Sequence, residues 1–227
     1  MKRFELIFII LVVLLYSLAA FTRNLVWKDD LTLWSDVIRK SPGKARGYNN
    51  IGVFYAEKKM PGKAIPFIKE ALRLKPDFVF AYIALGNAYM KSGYADPAIE
   101  SYRKALSIAP GFAEIYTNLG SAYVQKGMID QAIAAYEKSI SINPGYVPAH
   151  VNLASAYGSK GLTQNAIDGF KRALALEPDN PDILYNLGIS YEESGMVREA
   201  VTAFQETLKL RPDDTDARER LKELRGN

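Results

Sequence analysis

Cysteine is absent from this sequence of 227 residues, and histidine occurs once, at position 150. Without cysteine the chain can form no disulfide and can offer no thiolate to a metal or to a thiol-dependent reaction. One histidine is too few for a histidine metal cluster. A glycine-rich phosphate loop, a nucleophile motif and a zinc-ligand spacing are also missing. These absences predict that the protein is not an enzyme and that it binds no cofactor and no metal.

Strong net charge is missing as well. The 29 Lys and Arg residues exceed the 25 Asp and Glu residues by four, which is too small an excess to predict nucleic-acid binding. The charge is nevertheless uneven, because residues 23–111 carry fifteen basic and eight acidic side chains, whereas residues 181–227 carry seven and ten. Solvated helix faces explain this asymmetry. Attraction of the basic end to an anionic membrane surface is the alternative.

The sequence does contain a motif that recurs every 34 residues. One copy reads Tyr116-x2-Leu119-Gly120-x2-Tyr123, then Ala132-x3-Tyr136, then Pro144. Five copies in one phase span residues 45–78, 79–112, 113–146, 147–180 and 181–214. Within each copy, apolar residues fall three or four apart in two blocks, which predicts two amphipathic helices. Recurring Gly and Ala allow these helices to approach closely beside the larger aromatic side chains.

The length and pattern of the motif resemble the tetratricopeptide repeat (TPR). The resemblance implies an all-α fold, a TPR solenoid of five helical hairpins over residues 45–214. Gly93, Gly127, Gly161 and Gly195 are predicted to end the first helix of their hairpins. Residues 215–227 are predicted to form a C-terminal capping helix over the last hairpin. The resemblance further implies that the first helices of the hairpins line a concave groove for extended peptides or partner helices.

Asparagine recurs within this predicted groove. In four copies it directly precedes a dipeptide that consists of Leu or Ile followed by Gly or Ala. These asparagines are Asn50, Asn118, Asn152 and Asn186. Ala84 breaks the series in the second copy. A side-chain amide both donates and accepts hydrogen bonds, so that a row of amides suits the main chain of a bound peptide. The alternative is structural, with each amide tying adjacent helices together.

The N-terminus is predicted to contain a membrane segment. Residues 6–22 are uncharged and follow Lys2 and Arg3, and a helix over residues 4–22 would span about 28 Å, just enough for a bilayer core. Residues 1–22 are therefore predicted to be a single-pass anchor, with a cleaved signal segment as the alternative because Ser17 and Ala19 suit a cleavage site. In both cases Lys2 and Arg3 favour an extracytoplasmic location for the repeats. An adaptor that faces the cytoplasm is a further possibility.

Residues 23–44 are predicted to be a juxtamembrane linker followed by the second helix of an incomplete repeat. Trp27 is expected at the membrane interface, where tryptophan is common. This juncture is similar to the one that follows the last membrane helix in multi-spanning, TPR-bearing O-mannosyltransferase-type proteins. That resemblance implies a possible membrane glycosyltransferase as a partner.

Together these patterns predict a membrane-tethered TPR scaffold that binds a partner protein or an extended peptide and acts in envelope or surface-polymer assembly. A non-catalytic accessory subunit of a membrane glycosyltransferase is the alternative.

Overall fold

The computed structural model describes residues 8–18 and 29–226. All regular secondary structure in these residues is helical, which confirms the predicted all-α repeat fold. The chain divides into two compact units, Met1–Ser92 and Gly93–Asn227. The boundary falls inside the second 34-residue copy, so that the two helices of this copy belong to different units.

The first unit contains a helix over residues 8–18, here named α1, and four further helices. These are α2 (Asp30–Lys40), α3 (Ala45–Glu57), α4 (Pro61–Leu74) and α5 (Val79–Lys91). Helix α3 packs on α2, α4 packs on α3 and α5 packs on α4, and α3 also contacts α5. The core of this unit is built on small and aliphatic side chains such as Ala64, Ile68 and Ala81, all of them fully buried.

The second unit contains eight helices in sequence. They are α6 (Ala95–Ile108), α7 (Ala113–Gln125), α8 (Ile129–Ile142), α9 (Val147–Ser159), α10 (Thr163–Leu176), α11 (Pro181–Glu193), α12 (Val197–Leu210) and α13 (Thr215–Gly226). Each packs on the next, and α9 also contacts both α7 and α11. Ala217 and Leu221 of α13 are buried in the same core as Phe204 of α12. The last helix therefore covers an apolar surface of the hairpin that precedes it.

Small residues determine how closely the paired helices approach. A Cβ atom added at Gly120 of α7 would lie 2.5 Å from Cε1 of the buried Tyr136 of α8, far inside van der Waals contact. The fourth copy has Ala154 at the position of Gly120, and there the helix that packs against it carries Gly169. A Cβ atom at Gly169 would lie 2.8 Å from that of Ala154. In these two copies, the close approach of the paired helices thus requires a glycine on one helix or the other.

The turn between the two helices of a copy requires a left-handed residue. Gly93, Gly127, Gly161 and Gly195 have φ angles of 80°, 73°, 73° and 74°. This region is readily accessible to glycine, and the prediction that these glycines end the first helices is confirmed. Lys59 stands at the same phase in the first copy and adopts a φ of 58°, at a steric cost that the glycines avoid.

The predicted single-pass anchor over residues 1–22 is wrong. Within residues 8–18 and 29–226, no helix combines the length with the apolar composition needed to cross a membrane. The predicted location of the repeats as a membrane-anchored domain is corrected with it, whereas the alternative of a cleaved signal segment stays a prediction. Trp27, the predicted interface residue, lies outside the described residues.

Candidate functional site

The four asparagines of the predicted groove occupy the same position on the first helices α3, α7, α9 and α11, and each is half-buried. Asn50 belongs to the first unit and the other three to the second. Because α9 contacts both α7 and α11, the helices that carry Asn118, Asn152 and Asn186 are direct neighbours. The recurrence in the sequence therefore becomes a recurrence in space within the second unit.

The hydrogen bonds of the four amides differ. Asn50 accepts a 3.3 Å hydrogen bond at Oδ1 from the Asn49 amide, and Asn186 donates from Nδ2 to the carbonyl oxygen of Asp182, at 2.8 Å. Both bonds stay within one helix. In the part of the chain that the structure describes, the amides of Asn118 and Asn152 have no hydrogen-bond partner, and none of the four amides bonds to a neighbouring helix. The expectation of amides that tie helices together is therefore not met at these positions.

A cavity of about 720 Å³ lies between α3 and α5 in the first unit. One face of α3 and one face of α5 form its walls, together with Phe78 just before α5. The apolar lining residues are Val53, Ala56, Phe78, Phe80, Ile83 and Ala84. The polar lining residues are Arg46, Asn49, Asn50, Glu57, Asn87 and Lys91. This cavity, called the α3–α5 pocket below, is of the size and mixed character of ligand pockets.

Asn49 gives the α3–α5 pocket an unusual polar atom. The residue is 6% exposed, its Nδ2 donates to Asn50 Oδ1, and its own Oδ1 is buried without a hydrogen-bond partner among the described residues. An unpaired buried acceptor is costly and needs an explanation in a folded protein. The hydrogen bond from Asn49 also orients the Asn50 amide. It occupies the Asn50 oxygen and leaves the Asn50 Nδ2 group as a donor.

Two cations flank the α3–α5 pocket. Lys91 Nζ donates to the carbonyl oxygen of Ala56 at 3.1 Å, near the C-terminal end of α3, where a positive charge is favourable. Arg46 is exposed and has no carboxylate within 4.0 Å in the described residues. Residues 29–92 contain eleven Lys and Arg residues against six Asp and Glu residues, a net charge of +5. Residues 93–226 contain fourteen against eighteen, a net charge of −4.

The second unit has a smaller and more polar cleft of about 200 Å³. Asn152 lines it together with Ser121, Ser155 and Ser159. Tyr136 closes one side, with its hydroxyl 3.3 Å from Ser121 Oγ. Burial raises the pKa of the Tyr136 phenol, and the hydrogen bond with Ser121 opposes this shift. The cleft therefore presents neutral hydroxyl and amide groups, which suit a peptide main chain.

The structure also shows the surroundings of the one histidine of the chain. His150 is buried, and its Nε2 lies 2.8 Å from the carbonyl oxygen of Pro144, so that it is a packing residue. Among residues 8–18 and 29–226, no three His, Asp or Glu side chains are placed to hold a metal ion.

Sequence reasoning missed several residues of the α3–α5 pocket. Phe80 is 61% exposed and lies outside the recurring motif. The sequence does single Phe80 out by its position in the repeat, because no other copy has an aromatic residue there. The residues of the other four copies at this position are Arg46, Glu114, Pro148 and Asp182. Asn87 supplies an amide one turn after Ala84, where the asparagine series is interrupted. Asn49 could have been noticed from the Asn49–Asn50 doublet.

Comparisons with known proteins agree on the family. Models described as tetratricopeptide repeat match residues 45–78, 113–146 and 181–214, and a model described as TPR repeat matches residues 96–127 and 159–195. No curated protein matches the chain. The comparisons give no support to the resemblance of the juncture to O-mannosyltransferase-type proteins.

Solved structures give the same result. The crystal structure of MamA is 30% identical, with 73% of this chain and 97% of that chain covered and a TM-score of 0.65. A thermophilic TPR protein of Thermus thermophilus is 26% identical, with 81% and 100% covered and a TM-score of 0.65. YrrB, described as a TPR protein with an unusual peptide-binding site, is 20% identical, with 83% and 97% covered and a TM-score of 0.65. Its repeats, the packing of its helices and these matches show that the chain belongs to the tetratricopeptide repeat family.

Proposed function

We propose that this protein is a non-catalytic scaffold that binds a partner protein through an extended peptide, along the first helices of its repeats. Asn50, Asn118, Asn152 and Asn186 are the proposed peptide-binding residues. The observation that carries the proposal is the state of Asn118 and Asn152, which are half-exposed amides without an intramolecular partner on two helices in contact. Such amides do little for the fold and are free to bond a peptide main chain.

The four amides contribute unequally to this proposal. Asn186 has already committed one N–H to its own helix, and the orientation of Asn50 is fixed by Asn49. Asn118 and Asn152 can each turn to donate or to accept. We therefore assign most of the main-chain contacts in the second unit to these two residues. YrrB, which has the same fold, is described as having a peptide-binding site, and this supports peptide recognition by such a scaffold.

The experiment compares the full-length chain with Asn118→Ala/Asn152→Ala. Peptides are selected from a displayed library of random dodecapeptides on the immobilised parent chain, and the affinities of the recovered peptides are measured for both proteins. Two amide contacts at about 0.5–1.5 kcal/mol each predict a loss of affinity of roughly 5- to 150-fold. Asn165→Ala is the matched control, since this exposed asparagine lies on α10, a second helix.

The stability of the double variant distinguishes the two explanations for the asparagines. Its melting temperature should stay near that of the parent, because no buried partner loses a hydrogen bond and alanine is a good helix former. A large fall in melting temperature with peptide affinity retained would show that the amides are structural.

Two finer predictions from the sequence are not carried into this proposal. A role in envelope or surface-polymer assembly depended on the anchor over residues 1–22. A role as an accessory subunit of a membrane glycosyltransferase depended on the juncture that includes residues 23–28, which lie outside the described residues. Both stay predictions, which co-purification of the protein with its native partners would test.

A further inference from the structure

We infer that the α3–α5 pocket is a selective subsite, and that it takes an extended peptide in which a bulky apolar side chain stands next to a carboxylate. The inference rests on the proposed function, peptide binding along the first helices, and adds the chemistry of the peptide. It follows from three properties of the pocket: an exposed aromatic wall, an oriented pair of amides and an uncompensated positive charge.

The apolar wall comprises Val53, Phe80 and Ile83, on facing sides of the pocket. Phe80 is 61% exposed, and its ring contacts that of Phe78 edge to face with centroids 6.4 Å apart. The fold does not require a large apolar side chain here, because the other copies place charged residues or proline at this position. An aromatic residue that is exposed in a pocket and held by a second ring is well suited to cover an apolar side chain of a ligand.

The amide pair determines which polar groups of a peptide fit. Because Asn49 Nδ2 is bonded to Asn50 Oδ1, Asn50 presents its Nδ2 group as a donor for a carbonyl or carboxylate oxygen of the ligand. Asn49 Oδ1 is the buried acceptor without a partner. A peptide N–H that reaches this side of the pocket would satisfy it. A peptide main chain supplies both a carbonyl oxygen and an N–H at adjacent positions, which explains why the pair suits a peptide.

Charge selects an acidic neighbour for the apolar side chain. Arg46 lies one turn before Asn50 and lacks a carboxylate partner in the described residues. Lys91 is directed to the Ala56 carbonyl oxygen, so its charge is fixed at the wall. Glu57 is the one carboxylate among the lining residues, and the unit around the pocket has a net charge of +5 over residues 29–92. A carboxylate beside Arg46 would form a charge-assisted pair that its present surroundings do not supply.

The test uses the same full-length chain and the same displayed library of random dodecapeptides, with sequencing of the selected pool. Selection on the parent chain should enrich peptides in which Phe, Tyr, Trp, Leu or Ile stands beside Asp or Glu. Phe80→Ala should weaken binding of the enriched peptides by about tenfold or more. Arg46→Glu should move the preference of the pool from Asp and Glu to Lys and Arg.

The control for Phe80→Ala is Tyr94→Ala. Tyr94 is 60% exposed, nearly the same as Phe80, but it does not line the α3–α5 pocket. Its replacement should leave the affinity for the enriched peptides unchanged. Asn49→Leu should lower their affinity without changing the apolar and acidic preference, and should shift the side-chain amide resonances of Asn50 in an NMR spectrum. Thermal melts of all variants check that each is folded.

The outcomes separate this inference from the proposed function. Peptides that lose affinity on Asn118→Ala/Asn152→Ala but show no apolar and acidic motif and no response to Phe80→Ala would overturn the subsite and retain the scaffold. A motif that responds to Phe80 and Arg46 but not to the double variant would support the subsite and restrict peptide binding to the first unit. If no peptide were selected, both would be overturned.

Discussion

Replacement of Gly120 by alanine should destabilise the second unit, although alanine is the better helix former. The new methyl group would lie 2.5 Å, 2.8 Å and 2.9 Å from three ring atoms of Tyr136. This ring cannot easily move, because Tyr136 is 2% exposed and its hydroxyl contacts Ser121. Overpacking costs about 1–3 kcal/mol, and the gain in helix propensity returns about 0.8–1 kcal/mol. The expected net loss of stability is therefore about 0–2 kcal/mol.

Gly158 provides a matched control in the same unit. An added Cβ atom there would meet the Cβ of Ala166 at 3.8 Å, an ordinary van der Waals distance. Gly158→Ala should thus stabilise the protein by up to about 1 kcal/mol. Urea unfolding followed by far-UV circular dichroism measures both variants. The reasoning fails if Gly120→Ala and Gly158→Ala stabilise the protein to the same extent.

The fourth copy allows the same idea to be tested as a pair. Gly169→Ala should destabilise because its methyl group would lie 2.8 Å from that of Ala154, and Ala154→Gly should relieve this contact. The double variant should therefore be more stable than the sum of the two single changes predicts, with a coupling of about 0.5–3 kcal/mol. Additive effects would show that the two helices do not share one close contact.

Three further outcomes are expected. Lys59→Gly should stabilise the first unit by roughly 1 kcal/mol in a thermal melt, because φ at this residue is 58° and a left-handed conformation costs a side chain about that much; destabilisation would show that the Lys59 side chain matters more than its backbone. Ser139→Ala should lower the free energy of unfolding measured in urea by about 1–3 kcal/mol. The reason is that the buried Ser139 hydroxyl accepts a hydrogen bond from the Thr117 hydroxyl and donates one to the Ala113 carbonyl oxygen. Addition of Thr117→Val should recover part of this stability, and the absence of any recovery would refute the pairing of the two hydroxyl groups. Burial raises the pKa of the Tyr102 and Tyr136 phenols above the usual 10.0. Below pH 10 these phenols are neutral in the folded and in the unfolded protein, whereas above pH 10 they ionise first in the unfolded protein, so the free energy of unfolding should fall as the pH rises. An alkaline spectrophotometric titration in which both phenols ionise in the native state near pH 10 would contradict this.

The helices were predictable from the sequence because the residues that determine them recur. Gly120 faces Tyr136 and Gly188 faces Phe204, so a small residue and a large one always occur at fixed spacings in the chain. The left-handed glycines mark the turns for the same reason. Such local steric requirements leave a strong pattern in the sequence. The position of the boundary between the two units, inside residues 79–112, leaves none.

The candidate site was only partly predictable. The sequence located Asn50, Asn118, Asn152 and Asn186, but it could not show that Asn186 bonds to its own helix or that Asn49 fixes Asn50. The orientation of an amide depends on neighbours within a few ångströms and not on the repeat phase. The anchor was predicted from the composition of residues 1–22 alone, and residues 8–18 and 29–226 contain no helix with the length and apolar composition needed to cross a membrane.

The fold and the proposed binding surface use different positions of the same helix, and this separation has a consequence for specificity. On α7, Gly120 is fully enclosed and its replacement would disturb Tyr136, whereas Asn118, two residues earlier, is half-exposed and without a partner in the described residues. On α5, the buried Ala81 holds the core while the neighbouring Phe80 faces solvent at the pocket. Because the exposed positions do little for packing, they can differ between copies at little cost to stability. The net charge of +5 over residues 29–92 and of −4 over residues 93–226 shows that they do differ. A single repeat pattern therefore carries exposed positions of different charge in its two units, so that the α3–α5 pocket can select peptide side chains by charge without any change in the packing of the repeats.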